Sequence, residues 1–163
     1  QLRFWSDLQK KYSFTIPHTL VKGGKTRFDS VRNGLGFIDE PGLVAIHDGV
    51  RPFVSIETIK RCFDMAEKQG NAVPVISPTD SLRIVTENRN EPVDRTKIKI
   101  IQTPQVFRTE LIRFAYRQDY IPEFTDDAIV LERTGAKINL VEGNRENIKI
   151  TNPEDLLIAG ALI

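Results

Sequence analysis

The sequence predicts an α/β fold with a mostly parallel sheet, and two apolar runs with a helix between them carry that prediction. Leu43–Ile46 is an unbroken, β-branched run without helical period, which predicts a central strand buried on both faces. Ala72–Ile76 is a second such run and predicts another core strand. Between them, Ser55 can cap a helix that continues to about Gln69 and ends at Gly70.

Length and composition narrow the class of protein. The 163 residues suit one domain with a sizeable core, so we expect a single domain over residues 1–163. The 23 basic and 22 acidic side chains nearly balance, which gives no reason to expect a nucleic acid or a membrane as partner. The lone Cys62 excludes an internal disulfide, and its helical apolar surroundings predict a core thiol. No signal peptide and no apolar run of about 18 residues is present, so we expect an intracellular protein.

The other elements are predicted from period, capping residues and chain breaks. A helix-like apolar spacing occupies Leu2–Tyr12, and Asn152-Pro153 marks the start of the last helix. The remaining predictions are a short strand at Thr19–Lys22, a short helix near Val31–Leu35, a helix from Glu110 to about Gln118 capped by Thr109, a helix opened by Thr125-Asp126-Asp127 that ends before Gly135, and a strand at Lys137–Val141.

A projecting β-arm is predicted for residues 79–101. Two alternating runs, ending at Val85 and covering Val93–Ile101, are joined by the polar turn Glu87–Pro92, which is typical of a hairpin. A hairpin of about twenty residues with few apolar positions can bury little against its own domain. We therefore expect the arm to reach a second subunit.

The segment after the first core strand is the first candidate site. His47–Phe53 places Asp48, Gly49 and Arg51 at the carboxyl end of a buried strand, the edge at which open α/β sheets bind ligands. Gly49 lets a ligand approach the backbone, and the planar fork of Arg51 suits phosphate. The alternative is an ordinary strand-to-helix turn with a surface ion pair.

Gly23-Gly24 is the second candidate, because paired glycines between a strand and a helix expose backbone groups that can hold a base or a phosphate. The spacing matches neither a P-loop nor a dinucleotide fingerprint. A plain turn is the alternative here.

Cationic and hydroxyl side chains occur at several predicted strand ends. The sequence shows no metal-ligand cluster, and His18 and His47 are expected to be structural. Phosphoryl and nucleotidyl transfer depend on positioning the reactants and neutralising charge, so the pattern favours that chemistry. The side chains are Arg27, Ser30, Arg51, Ser81, Arg95, Thr103 and Lys149.

Seven motifs follow one another along nearly the whole chain. They are GGKTRFDSVRNGL (Gly23–Leu35), HDGVRPF (His47–Phe53), TDSLR (Thr79–Arg83), VDR (Val93–Arg95), QTPQVF (Gln102–Phe107), TDDA (Thr125–Ala128) and EGNRENIKIT (Glu142–Thr151). In this order they closely resemble the 2-C-methyl-D-erythritol 4-phosphate cytidylyltransferases of the non-mevalonate isoprenoid pathway. One motif alone is moderately specific, and seven in order are a strong signal.

The resemblance implies a Rossmann-like α/β domain of the nucleotide-diphospho-sugar transferase type, with a β-arm that completes the partner's site in a homodimer. It implies a reaction of CTP with methylerythritol phosphate to give a CDP-linked alcohol and pyrophosphate. Mg²⁺ would be bound through the CTP phosphates, with no side-chain metal site. The implied location is the cytoplasm, or the plastid if the source is a plant.

The resemblance also implies roles for individual residues. Lys149 would place the substrate phosphate for in-line attack, and Arg95 on the arm would reach the neighbouring subunit's substrate. The implied catalytic residues are Arg95, Lys149 and Asp48. The implied nucleotide-binding residues are Gly24, Lys25, Ser30, Asp48 and Gly49. The implied substrate-binding residues are Arg51, Ser81, Arg95, Thr103, Thr125 and Lys149.

Three departures from the family's pattern are visible. Gly49-Val50 stand where the family usually has Ala-Ala, and Ser81 and Arg83 stand where it usually has Thr and Lys. The family's first strand and its glycine-rich, cationic loop have no counterpart in these 163 residues. We therefore expect the chain to be N-terminally incomplete and, by itself, nearly inactive.

Three other functions remain open at this point. Ribitol-5-phosphate cytidylyltransferase is the sister activity with the same fold and nucleotide. A nucleotide-sugar glycosyltransferase would require a D-x-D metal motif after the central strand, which His47-Asp48-Gly49 lacks. A non-catalytic nucleotide-binding or dimerisation fragment is the third alternative.

Overall fold

The computed structural model describes residues 2–163, which fall into two compact units, Gln1–Ile38 and Asp39–Ile163. The expected single domain over 1–163 stays a prediction. Across residues 2–163, none of the helices has the length and apolar character needed to cross a membrane.

The first unit contains two helices, α1 (Leu2–Lys11) and α2 (Arg27–Leu35), which confirms both predicted helices. The predicted strand at Thr19–Lys22 is wrong, because this segment is irregular. A strand needs a paired neighbour for its backbone groups, and residues 2–38 offer none. The irregular segment is held instead by His18, whose Nε2 accepts from the Trp5 indole at 2.9 Å.

The second unit is built on a five-stranded sheet. Its strands are β1 (Leu43–Ile46), β2 (Asn71–Ile76), β5 (Ile100–Ile101), β6 (Gln105–Arg108) and β7 (Leu140–Glu142). The order is β1-β6-β2-β5, and β7 also pairs with β2. The β2–β7 pairing is parallel, whereas β6 runs antiparallel to both β1 and β2, and β5 antiparallel to β2. The α/β class is confirmed, with a mixed sheet in which β1, β2 and β7 point the same way.

The position of β1 differs from the prediction. This strand lies at the end of the strand order in the described chain, and Ala45 is exposed, so it is not a central strand buried on both faces. The strand buried on both sides is β2, because residues 71–75 are all buried. An apolar run shows that a strand is buried on at least one face, but its place in the order depends on long-range pairing.

Four helices complete the second unit: α3 (Ile56–Gln69), α4 (Thr109–Ala115), α5 (Asp127–Glu132) and α6 (Pro153–Ala161). Helix α3 begins and ends as predicted, with the Ser55 hydroxyl accepting from the Thr58 backbone and Gly70 in a left-handed conformation, φ 88°. Its buried residues include Cys62 and Ala66, which pack with β2 and β6.

The predicted cap of α4 is wrong, whereas the predicted start of α5 is confirmed. Thr109 does not cap α4, because it is the first helical residue and its hydroxyl donates to the Gly42 carbonyl at 3.2 Å. Asp126 caps α5 as predicted by accepting from the Ile129 backbone. Asp127 is not a cap, because its buried carboxylate accepts from the Tyr116 hydroxyl at 2.5 Å. The strand predicted at Lys137–Val141 lies later, as β7.

The β-arm is shorter than predicted. A hairpin is present, formed by β3 (Leu82–Val85) and β4 (Asn90–Val93) in a two-stranded sheet of its own. The predicted second strand Val93–Ile101 is wrong, because Asp94 caps a 3₁₀ turn at Arg95–Lys97 by accepting from the Thr96 backbone. The chain then rejoins the main sheet as β5.

Candidate functional site

The turn that follows β1 holds the centre of the candidate site. The Arg51 N–H donates to the Asp48 carbonyl at 3.0 Å, which folds the chain back directly after the strand. Asp48 Oδ2 lies 3.2 Å from Lys149 Nζ and 3.5 Å from Arg51 Nε. One carboxylate therefore bridges two cations that come from distant parts of the sequence.

The two cations differ in their access to solvent. The Arg51 side chain is 12% exposed, and its Nη1 donates to the Asn147 carbonyl at 2.8 Å. The Lys149 side chain is 47% exposed, so its ammonium can meet an anionic ligand while it contacts Asp48. The arrangement presents Lys149 outward and holds Arg51 inward.

Thr103 ties a second segment to this turn. The Gln102-Thr103-Pro104 segment is buried between β5 and β6 and contains a cis Thr103–Pro104 bond. The Thr103 hydroxyl accepts from the Asp48 N–H at 3.0 Å and lies 2.8 Å from His47 Nδ1. This hydrogen bond ties the backbone of Asp48, which precedes β2 in the sequence, to Thr103, which follows β2.

The segment after β7 carries Lys149 and is irregular. Asn144 anchors its start by accepting from the Ser55 backbone at 3.1 Å and donating to the Phe53 carbonyl at 2.9 Å. The Ile150 N–H donates to the Val50 carbonyl at 2.9 Å and anchors its end. Hydrogen bonds from its own backbone and from Asn144 hold the pKa of the Glu146 carboxyl below its usual range.

Gly24 and Ser30 are brought together in the first unit. The Ser30 hydroxyl accepts from the Gly24 N–H at 3.0 Å and donates to the Thr26 carbonyl at 3.0 Å. Thr26 and Asp29 form a capping box at the start of α2. A Cβ at position 24 would lie 2.1 Å from that of Asp29, so glycine is required there by close approach. Lys25 beside them is exposed.

The other predicted site residues lie on exposed chain. Ser81 and Arg95 belong to the hairpin region, and Arg95 donates to the Thr79 carbonyl within the same region. Thr125 is exposed just before α5, and Gly49 is exposed, so that a Cβ added there would have no atom within 4 Å. Hydrogen bonds and ion pairs therefore join Asp48, Arg51, Thr103 and Lys149, and separately Gly24 and Ser30.

Several residues that shape the site were missed in the sequence. Asn147 and Gln102 are wholly or almost wholly buried, and His47 has both ring nitrogens in hydrogen bonds. These residues lie within the motifs that carry the family resemblance. A single amide or imidazole side chain, however, has no spacing to other residues that would indicate its role. Cys62 is confirmed as a core thiol, and burial raises its pKa to about 11. Within residues 2–163, no three His, Cys, Asp or Glu side chains converge to hold a metal ion.

Comparison with known proteins finds relatives that match nearly the whole chain. The sequence pattern of the family described as "IspD: 2-C-methyl-D-erythritol 4-phosphate cytidylyltransferase" matches residues 6–163. The enzyme of that name from Bacteroides thetaiotaomicron is 50% identical over 163 residues, which are all of this chain and 74% of the relative. The Porphyromonas gingivalis enzyme of that name is 50% identical over 161 residues, covering 98% of this chain and 72% of the relative.

Solved structures show the same similarity in three dimensions. The 2-C-methyl-D-erythritol 4-phosphate cytidylyltransferase of Thermus thermophilus superposes with a TM-score of 0.80 at 34% identity, covering 91% of this chain and 77% of that one. The 4-diphosphocytidyl-2C-methyl-D-erythritol synthase of Anaerococcus prevotii gives 0.83 at 30% identity, covering 98% and 73%.

Proposed function

The chain belongs to the 2-C-methyl-D-erythritol 4-phosphate cytidylyltransferase family, and from this premise we propose how its residues carry out the transfer. The reaction is nucleotidyl transfer from CTP to 2-C-methyl-D-erythritol 4-phosphate in isoprenoid biosynthesis. An oxygen of the substrate phosphate attacks the α-phosphorus of CTP and forms a P–O bond. The bond from the α-phosphorus to the bridging oxygen breaks, and pyrophosphate leaves with the electron pair. The products are 4-diphosphocytidyl-2-C-methyl-D-erythritol and pyrophosphate.

The contact of Lys149 with Asp48 is the observation that carries this proposal. An anionic phosphate must approach an anionic triphosphate, and a fixed cation lowers that repulsion most where water is scarce. Lys149 is half-exposed at 3.2 Å from a carboxylate that fixes its position. Lys149 therefore receives the substrate phosphate, and Asp48 orients the ammonium group.

Arg51 and Thr103 support this arrangement from within. The Arg51 guanidinium lies inward, so its charge acts on the substrate through Asp48 and through the field of the site. The Thr103 hydroxyl, bonded to the Asp48 backbone, keeps the turn in place, so Thr103 contributes to substrate binding through Asp48. Positioning of this kind is the main contribution of a protein to phosphoryl transfer.

We assign the cytidine to the Gly24 cluster of the first unit, chiefly through backbone groups of Gly24 and Lys25 and the Ser30 hydroxyl. Gly24 and Lys25 are exposed, so backbone groups of this segment are within reach of a ligand, and the close approach to Asp29 explains why position 24 has no side chain. Within the second unit, we propose Asp48 and Gly49 as nucleotide-binding residues, since Gly49 has no side chain and is exposed.

Mg²⁺ enters, in this proposal, with the CTP phosphates. The side chains of the site favour a metal held by the substrate phosphates, because the Asp48 carboxylate is already shared between the Arg51 and Lys149 cations. When bound, Mg²⁺ neutralises phosphate charge and makes pyrophosphate a better leaving group. We also propose a homodimer in which the hairpin brings Ser81 and Arg95 to the partner's substrate together with Thr125, and a cytoplasmic location, where CTP is made.

Pyrophosphate release tests the proposal. The protein, expressed from its full reading frame, is given CTP and Mg²⁺ with methylerythritol phosphate or with ribitol 5-phosphate. We expect release with the first substrate only. Release with ribitol phosphate alone would overturn the choice of alcohol, and CTP binding without release from either would favour a non-catalytic nucleotide-binding protein. The 163 residues tested in parallel measure how much activity they have on their own.

A further inference from the structure

Four residues around the candidate site form a closed ring of hydrogen bonds. Thr103 Oγ1 lies 2.8 Å from His47 Nδ1, and His47 Nε2 lies 2.9 Å from the Arg51 carbonyl. Arg51 Nη1 donates to the Asn147 carbonyl at 2.8 Å, and Asn147 Nδ2 donates to the Thr103 carbonyl at 2.8 Å. The ring joins three segments that are distant in sequence: the turn after β1, the buried stretch before β6 and the loop after β7.

All four donors of the ring point in the same rotational direction. A carbonyl oxygen can only accept, so His47 Nε2 must carry the hydrogen that it donates to Arg51. In the neutral ring Nδ1 is then the acceptor, and the Thr103 hydroxyl donates to it while accepting from the Asp48 N–H. Each of the four bonds restrains a different pair of residues, so together they hold the three segments against one another.

Asp48 and Lys149, to which we assign roles in the transfer, are both connected to this ring. Asp48 lies between His47 and Arg51 in the chain and is bonded to Thr103. Lys149 lies two residues after Asn147, and the Ile150–Val50 bond restrains the chain on its other side. A shift of Asn147 would therefore carry Lys149 away from Asp48.

Burial of the Asn147 side chain has a free-energy cost that packing alone does not explain. Its side chain is fully buried, and its Oδ1 accepts no hydrogen bond from residues 2–163. An unsatisfied buried acceptor destabilises a fold, so it is retained where the rest of the group has a use. The use visible here is the amide donation to the Thr103 carbonyl.

We propose that His47 and Asn147 are positioning residues, which hold Lys149 against Asp48 through the ring and so set the rate of the transfer. The proposal rests on the proposed function for its kinetic consequence, but its geometric consequence can be measured without turnover. In this proposal neither residue acts on the substrate directly.

The test uses two ring variants, each with a matched control. Asn147→Ala removes the donor to Thr103. Its control, Asn71→Ala, removes another buried amide, which lies at the first residue of β2, outside the ring, and donates to the Lys137 carbonyl at 2.8 Å. His47→Ala opens the ring at an exposed position, so folding is less at risk. His18→Ala removes the other histidine, which bonds to Trp5 and Gln9 in the first unit.

Two readouts are taken on the full protein. In crystal structures, we expect the 3.2 Å contact of Lys149 Nζ with Asp48 to be lost in both ring variants and kept in both controls. In assays with methylerythritol phosphate, we expect kcat/KM to fall about ten- to a hundredfold in the ring variants, since a misplacement of about 1 Å can cost that much. His47→Gln, whose amide can still donate to the Arg51 carbonyl, should recover part of the loss.

The outcomes separate the two proposals. Loss of rate in all four variants in proportion to their loss of Tm would overturn the ring proposal and leave a merely structural role. An unchanged Lys149–Asp48 contact in Asn147→Ala and His47→Ala would overturn it as well, whatever the rates. If the unmodified protein releases no pyrophosphate, the proposed function fails, and the crystal structures alone decide whether the ring positions Lys149.

Discussion

Two regions of the second unit carry predicted substrate residues, and they are held in opposite ways. The network region, formed by residues 47–55, 102–105 and 143–150, is tied together by hydrogen bonds between residues 42 to 96 positions apart. The hairpin, residues 79–97, is bonded mainly within itself, and every residue of its two strands is exposed or half-buried. The network region is held by contacts within this chain, whereas the hairpin has no buried core of its own.

The difference shows where each region can contribute. A group that must be placed to a fraction of an ångström belongs on the network region, because its neighbours restrain it from several sides. An exposed hairpin gains a fixed position only against another surface, which is why we propose that it acts on a second subunit. The predictions that follow test this contrast.

The largest expected effect is that of Lys149→Met. Removing the half-exposed ammonium should lower kcat/KM by about 10²–10³, since a preorganised charge at a developing anion has roughly that effect. Stability should change by no more than about 1 kcal/mol, as for other partly exposed ion pairs. Pyrophosphate release and urea unfolding measure the two quantities.

Lys99→Met is the matched control for that variant. Lys99 Nζ donates to the Ser77 hydroxyl at 2.7 Å and lies outside the network. A comparable fall in rate on losing Lys99 would mean that general positive charge, and not the placement of Lys149, drives the reaction.

The second prediction concerns the hairpin. Arg95→Ala should reduce turnover by about a hundredfold and leave the Kd for CTP and the unfolding free energy nearly unchanged. Arg89→Ala, on the same hairpin and paired with Glu91 at the surface, should leave all three unchanged. Equal losses of turnover and CTP affinity in Arg95→Ala would contradict the substrate role of the arm.

Mixing the two inactive variants sharpens the comparison. If each site takes Lys149 from one subunit and Arg95 from the other, mixed dimers of Lys149→Met and Arg95→Ala contain one intact site. Random exchange should then restore roughly a quarter of the original activity. No recovery after subunit exchange, verified by tagged co-purification, would place both residues in one subunit's site.

The third prediction compares two glycines near the network. A Cβ on Gly143 would lie 2.1 Å from the buried Oε1 of Gln102, so Gly143→Ala should lower the unfolding free energy by about 2 kcal/mol. Gly49→Ala meets no atom within 4 Å and should change it by less than about 0.5 kcal/mol. Urea denaturation of both variants measures these changes. Equal losses of unfolding free energy would show that the network is more loosely packed than the close approach of Gly143 to Gln102 indicates.

The last prediction is a pH dependence of stability that arises from the buried thiol of Cys62. Burial raises the pKa of the Cys62 thiol to about 11, above its ordinary value, so folding favours the protonated form. The resulting stability is present at neutral pH and is lost as pH rises from about 9 to 11, by roughly 2 kcal/mol. Unfolding at a series of pH values should show this loss, and Cys62→Ala should remove it.

The same thiol gives a simpler check. At neutral pH it should react with Ellman's reagent only after unfolding, because it is fully buried and protonated. Rapid reaction in the folded protein would contradict both the burial and the raised pKa.

The sequence by itself determined the class of fold, the helix starts with clear caps and the family. The caps at Ser55 and Asp126 are local, because a side chain bonds to a backbone group three residues away, and such signals can be read without knowing the fold. The order of seven motifs determined the family, because their residue types are constrained together by one chemistry.

Only the tertiary structure decided which predicted residues meet. The reversed strand β6 between β1 and β2, the early end of the hairpin and the ring through His47 and Asn147 depend on pairings between distant segments. An amide or imidazole has several possible partners, and its sequence neighbours do not select among them. Lys149 is informative for the same reason: alone in the sequence it resembles a solvated surface lysine, and the fold places it 3.2 Å from Asp48.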